Sequence, residues 1–103
     1  MNIVEQQIET VSELCQQHHV ANMYLFGSVL TENFSPESDI DFLITFGQVD
    51  LYRYFNNYMN LKEELASLFK RPIDLVEEKA VKNPVLRRSI ERNKKLVYNG
   101  CTS

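Results

Sequence analysis

Apolar residues recur at helical spacing in two long stretches of the chain. The first predicts an amphipathic helix over residues 3–18, with apolar residues at Val4, Ile8, Val11 and Cys15. The second predicts a long helix over residues 51–69, with Asp50 as its N-cap and a stripe of Leu51, Tyr54, Phe55, Tyr58, Leu61, Leu65 and Leu68. We expect this stripe, including its aromatic residues, to lie mainly in the core.

Strand patterns separate the helices. Residues 39–46 alternate between two faces, and shorter apolar runs at 20–26 and 73–76 predict two more strands. Asn83-Pro84 opens a last helix that ends near Arg92, and residues 96–98 predict an edge strand. One or two helical turns are predicted over residues 29–34, before a loop around Pro36. The order predicts an α/β (α+β two-layer) fold, in which helices pack on a small mixed sheet of three to four strands.

The length and composition add few constraints on function. With 103 residues, 44% of them hydrophobic and 24% charged, the chain is expected to form one globular domain over residues 1–103. We expect no membrane association and a cytoplasmic location, because no apolar run approaches the ~20 residues of a membrane span and the N-terminus does not resemble a signal peptide.

Charge is distributed unevenly. Residues 1–50 hold eight acidic residues and no Lys or Arg, whereas all eleven basic residues lie in residues 51–103, seven of them between Lys79 and Lys95. A solvated basic helix is the ordinary explanation of such a cluster, and a helix that faces phosphate is the alternative.

Three aspartates carry the candidate chemistry. Asp39 and Asp41 are two apart on a predicted strand, so both side chains project to one face, with Cα atoms roughly 6.5–7 Å apart. Asp74 interrupts the apolar run at residues 72–76 and joins them if the two strands pair. Like charges held together repel one another, so a divalent cation such as Mg²⁺ is expected between them. A calcium loop is excluded because its further oxygen ligands and its central Gly are missing.

Gly27-Ser28 ends the strand predicted over residues 20–26. A glycine lets the backbone approach a phosphate closely, and the free N–H groups at a helix start attract anions. Alone, a Gly-Ser is usually a turn and an Asp-x-Asp is often a solvated strand end. In this chain Gly-Ser ends one predicted strand and Asp-x-Asp begins the next, and this combination favours a site that holds a metal-bound triphosphate.

Gly27-Ser28, ten further residues, Asp39-x-Asp41 and the later Asp74 resemble the motif of the nucleotidyltransferase fold shared by polymerase β-like enzymes. More narrowly, the chain resembles the minimal nucleotidyltransferases (MNT), small prokaryotic proteins often encoded beside a HEPN-domain partner. The resemblance implies a palm-like nucleotidyltransferase fold over nearly the whole chain.

The resemblance also implies transfer of a nucleoside monophosphate from ATP or another NTP to a hydroxyl, with release of pyrophosphate. Asp39 and Asp41 would hold two Mg²⁺ ions, Asp74 would bind the metal near the attacking hydroxyl, and Gly27 and Ser28 would hold the nucleotide phosphates. For members of the antitoxin type it implies a HEPN-domain protein as partner and acceptor, and an RNA acceptor is the alternative.

The chain departs from the family pattern in one respect. Many members have a basic residue shortly after Gly-Ser, whereas the first Lys or Arg in this chain is Arg53. We expect the basic segment at residues 82–95, with Arg87 and Arg88 foremost, to supply that charge. Two other functions stay open at this point: a non-catalytic module that neutralises a HEPN partner by contact, and a regulator that senses NTP.

Overall fold

A computed structural model describes residues 3–27 and 39–100. Its helices are α1 (Ile3–Gln6), α2 (Ile8–Gln17), α3 (Leu51–Phe69) and α4 (Pro84–Asn93), and its strands are β1 (Val20–Phe26), β2 (Ile40–Phe46), β3 (Ile73–Glu77) and β4 (Lys95–Asn99). One turn of 3-10 helix at Glu78–Ala80 follows β3. The turns predicted over residues 29–34 and the loop around Pro36 lie outside the described residues.

The four strands form one mixed sheet in the order β3-β2-β1-β4. β1 pairs antiparallel with both β2 and β4, whereas β3 lies parallel to β2. A parallel pair needs a long crossover between its strands, and α3 provides it. The predicted mixed sheet with packed helices is therefore confirmed, and β3 and β4 are its edges.

The alternation of β2 divides the core between the two faces of the sheet. The main cluster lies on the face of α1, α2 and α3, where the buried residues include Ile40, Phe42, Ile44, Leu61 and Leu65. A smaller cluster on the other face joins Leu43 to Val81 and to Ile90 of α4. Asp41 is two residues from Leu43, so it projects to the α4 face.

The predicted caps are present at the two helices that follow loops. The Asp50 carboxylate accepts a hydrogen bond from the backbone N–H of Tyr52 at 3.1 Å. The Asn83 side chain accepts from the N–H groups of Val85 and Leu86 at 2.9 and 3.3 Å. Each cap satisfies backbone donors that a helix start leaves without intrahelical partners.

Two predictions about the helices are wrong. The helix predicted over residues 3–18 is broken at Gln7, whose φ of −114° is not helical. The apolar stripe of α3 is not buried throughout, since Leu51 is 88% exposed and Phe55 69% exposed, although Leu61 and Leu65 are fully buried. The first turns of α3 therefore project beyond the core. Within the described part of the chain, no helix has both the length and the apolar character needed to cross a bilayer.

Candidate active site

Asp41 and Asp74 face each other across the only parallel strand pair of the described sheet. The β2–β3 register places Asp41 opposite Asp74, as Ile40 is opposite Ile73 and Phe42 opposite Leu75. In a parallel pair, opposed residues project to the same face. The strand pairing on which the sequence prediction depended is thus present, and it brings together two carboxyl groups that lie far apart in the sequence.

The pKa of Asp41 is raised from 3.8 to about 6. Partial burial of its carboxyl group is the largest cause, the charges of Asp74 and Asp39 add to it, and a hydrogen bond with Asp74 contributes last. Both desolvation and neighbouring negative charge disfavour an ionised carboxylate. The folded chain therefore holds a proton on Asp41 more tightly than an isolated aspartate would.

Asp39 and Asp74 are both exposed, so the cluster is open to solvent on one side. Asp39 directly precedes β2 and is close enough to Asp41 to influence its pKa. As placed in residues 3–27 and 39–100, no three His, Cys, Asp or Glu side chains converge as a ready-made metal site. The structure thus forms the Asp41–Asp74 pair directly, with Asp39 beside it.

Gly27 follows β1 and lies against the Asp41 carboxyl group. Its φ is +81°, in the left-handed region that favours glycine. A Cβ atom added to Gly27 would overlap Asp41 Oδ2 and would lie 3.2 Å from Asp41 Cγ. The position therefore needs a glycine for two reasons, the backbone conformation and the space that the Asp41 side chain occupies.

This contact was not predicted from the sequence, which placed Gly27 against a phosphate. The antiparallel register opposes Phe26 and Asp41, and so brings the residue after Phe26 to the carboxylate. A glycine directly after a strand was the available signal, but the strand register was needed to interpret it. Ser28 lies outside the described residues, and its role as a phosphate ligand stays a prediction.

Several residues of the basic cluster are engaged in contacts within the chain. Arg87 donates to the Glu78 carboxylate at 3.2 Å and to the backbone carbonyls of Val81 and Glu78 at 3.2 and 3.4 Å. Lys94 lies 4.2 Å from the centre of the Tyr24 ring. Because Arg87 fastens α4 to the 3-10 turn, the predicted role in phosphate binding falls more readily on its exposed neighbour, Arg88.

A separate polar recess of about 470 Å³ lies away from the three aspartates. Its lining includes His19, which precedes β1, and Asp50, which follows β2. Gly27 follows β1 and Asp39 precedes β2, so these two residues lie at the opposite ends of the same strands. The recess is therefore not part of the acidic site.

Comparison with known proteins agrees with this geometry. The family model described as polymerase beta, nucleotidyltransferase matches residues 9–101. A candidate protein adenylyltransferase of Methanocaldococcus jannaschii is 33% identical over 85 residues, which cover 82% of this chain and 82% of the relative. All four strands and the acidic site lie within the residues that the family model matches.

Solved structures show the same similarity in three dimensions. A candidate minimal nucleotidyltransferase superposes with a TM-score of 0.74 at 27% identity, over 92% of this chain and 95% of that chain. A complex of a tri-AMPylated Shewanella oneidensis HEPN toxin with its MNT antitoxin gives a TM-score of 0.64 at 20% identity, over 94% of this chain and 73% of the other. This chain belongs to the polymerase beta nucleotidyltransferase family.

Proposed function

We propose that the protein transfers AMP from ATP to a hydroxyl group of a HEPN-domain protein, with release of pyrophosphate, in a reaction that requires Mg²⁺. The observation that carries the proposal is the Asp41–Asp74 pair beside Gly27. The adenylyltransferase name of the Methanocaldococcus relative supports AMP as the group transferred.

The donor set of the site suits magnesium. Mg²⁺ prefers oxygen ligands and is commonly held by one or two carboxylates together with substrate phosphates. Asp39, Asp41 and Asp74 offer only carboxylate oxygens. The raised pKa of Asp41 reflects the partial burial of its carboxyl group and, after that, repulsion by Asp74 and Asp39, and a bound cation would offset both. When bound, two such ions would stabilise the entering and leaving oxygens of the displacement.

Different residues of the site would bind the nucleotide and orient the acceptor. Asp39 and Asp41, at the start of β2, would hold the ions and through them the nucleotide phosphates. Gly27 keeps the space beside Asp41 free of side-chain atoms. Asp74 is exposed on the edge strand β3, where an acceptor can approach, so it would orient the attacking hydroxyl and receive its proton.

A HEPN-domain protein is proposed as the acceptor because of the Shewanella complex, in which a tri-AMPylated HEPN toxin is bound to an MNT antitoxin. The present chain shares the fold of such antitoxins over 94% of its length. A role as an antitoxin that modifies its partner follows, with the partner inactivated by addition of AMP.

The proposal is tested by label transfer from α-phosphate-labelled ATP. The purified chain is incubated with Mg²⁺ and with the HEPN-domain protein or a lysate of the source organism, and Asp41→Asn is run in parallel. We expect one labelled protein with the wild type and none with the variant. Omission of Mg²⁺ or addition of EDTA should abolish the label.

Glu63→Gln is a matched control, because it removes one carboxylate from the exposed face of α3. It should label the acceptor as the wild type does. Labelled RNA in place of protein would correct the acceptor, whereas no transfer with any of the four NTPs would contradict the proposal and favour a non-catalytic binding module.

A further inference from the structure

An apolar groove of about 450 Å³ runs between α3 and the edge strand β3. Its lining is mostly aromatic and aliphatic: Tyr54, Phe55, Tyr58, Leu75, Val76, Glu77 and Ala80. Both tyrosines are fixed at the groove wall, since the Tyr58 hydroxyl donates to the Leu75 carbonyl and the Tyr54 hydroxyl donates to Glu77. The groove is therefore a formed feature of the surface.

The groove continues into an exposed apolar surface on the first turns of α3. Phe55 is 69% exposed, Leu51 88% and Tyr52 94%. These three residues account for half of the large hydrophobic side chains that are exposed in the described residues. A contiguous exposed patch of this kind, rich in aromatic residues, is typical of a protein interaction site.

The groove adjoins the acidic site. Asp74 precedes Leu75 in β3, and β3 forms both the groove wall and the edge of the sheet. Burial raises the pKa of Tyr58, and the charges of Asp74 and then Glu77 raise it further, which places Asp74 within electrostatic reach of the groove. Asp74 projects to the opposite face of β3, so a molecule that is seated in the groove and crosses this edge strand would have part of its chain beside Asp74.

The charge of this surface restricts what can bind there. Glu77 is the one charged residue among the described residues that line the groove. Asp74 lies three residues before it on the same strand, β3. Nucleic acid would bring phosphates next to these acids, which is unfavourable. A polypeptide that places an apolar side chain in the groove and a Lys or Arg beside Glu77 is complementary in both shape and charge.

We propose that the groove and the first turns of α3 dock the protein that carries the acceptor hydroxyl, through an apolar side chain flanked by a basic residue. The inference rests on the proposed function and specifies its partner surface. Phe55 is then a residue that contacts the acceptor, which explains why this member of the apolar stripe of α3 is exposed.

The test separates docking from chemistry. Initial rates of AMP transfer are measured against increasing concentrations of the purified acceptor, identified as the protein that wild type labels and Asp41→Asn does not. Phe55→Ser removes the exposed ring, and Ala80→Trp fills the groove while leaving Phe55 in place. We expect each to raise the KM for the acceptor about tenfold or more, as the loss of a central aromatic contact does at interfaces.

Leu96→Ser is the matched control, since Leu96 is 52% exposed on β4, at the opposite edge of the sheet. Its KM for the acceptor should stay within about twofold of wild type. Binding of Mg·AMP-PNP should be equal in all variants, which would place any loss at the acceptor rather than at the nucleotide.

An unchanged KM in both groove variants would overturn the inference alone. Label on RNA with the wild type would overturn the inference and would also correct the acceptor named in the proposed function. Absence of any transfer by the wild type would contradict the proposed function itself, and the inference with it. The wild-type measurement therefore distinguishes the two failures.

Discussion

Replacement of Asp41 by Asn should stabilise the metal-free protein at neutral pH while abolishing its activity. The pKa of Asp41 is raised from 3.8 to about 6, so the folded state binds this proton more tightly than the unfolded state. The stabilising contribution of protonated Asp41 is complete below about pH 4 and is lost as the pH rises through about 6. Above that range the ionised carboxylate opposes folding.

The size of the effect follows from the shift in pKa. About two units would correspond to about 3 kcal/mol, and because the carboxyl group is only partly buried we expect solvent screening to reduce this to about 1–1.5 kcal/mol. For a domain of this size, 1 kcal/mol raises Tm by roughly 4–8 °C. Asn keeps the shape of the side chain, so little packing should be lost.

Urea unfolding of wild type and Asp41→Asn, in EDTA at about pH 4 and about pH 7.5, measures this difference. The variant should be more stable at the higher pH and nearly equal to wild type at the lower one. Glu63→Gln removes the same charge from an exposed position and should change little at either pH. A destabilised Asp41→Asn, or a difference that does not shrink on acidification, would refute the reasoning from burial and repulsion of the Asp41 carboxylate.

Three further outcomes are expected. Gly27→Ala should destabilise the fold by ~1–3 kcal/mol and weaken Mg·AMP-PNP binding, because it combines a positive φ with a steric overlap. Urea unfolding and calorimetric titration measure the two effects. Gly47→Ala is the control in both assays, since its new Cβ would lie 3.4 Å from the His19 carbonyl oxygen. Arg87→Ala should lower the unfolding free energy by ~0.5–1.5 kcal/mol through loss of its contacts with the 3-10 turn. Arg88→Ala should change the unfolding free energy by no more than ~0.5 kcal/mol and should instead weaken Mg·ATP binding. If Arg88→Ala binds nucleotide as tightly as wild type, α4 is a solvated basic helix. Asn83→Ala should cost ~1 kcal/mol in urea unfolding, because two backbone donors of α4 lose their acceptor, and an unchanged midpoint would contradict that role.

The strands, α3 and the caps were predictable because each depends on local spacing. Residues 40–46 place an apolar residue at every second position, and β2 occupies Ile40–Phe46. α3 occupies the predicted Leu51–Phe69. The break at Gln7 was not predictable, since the apolar spacing continues across it. Helical periodicity also shows which residues share a face, but not how far the helix extends past the sheet, and for that reason Phe55 was wrongly placed in the core.

The candidate site was predictable in its residues and less so in its contacts. Two aspartates on one strand share a face whatever the fold, but the proximity of Asp74 depends on β3 lying parallel to β2 in one register. The contact between Gly27 and Asp41 depends likewise on the pairing of β1 with β2. Register is a property of the assembled sheet, and no local pattern in this chain specifies it.

The hydrogen bond from Tyr58 to the Leu75 carbonyl has a consequence for solubility. Ile40 donates its backbone N–H to the Pro72 carbonyl, so alternate carbonyls of β3, including that of Leu75, point away from β2. Such an outer edge can recruit strands from other molecules and start aggregation. Here a tyrosine hydroxyl occupies one of its acceptors and two acidic side chains flank it. These features oppose uncontrolled growth of the sheet at β3, so that the proposed partner would be recognised there by its side chains rather than by strand addition.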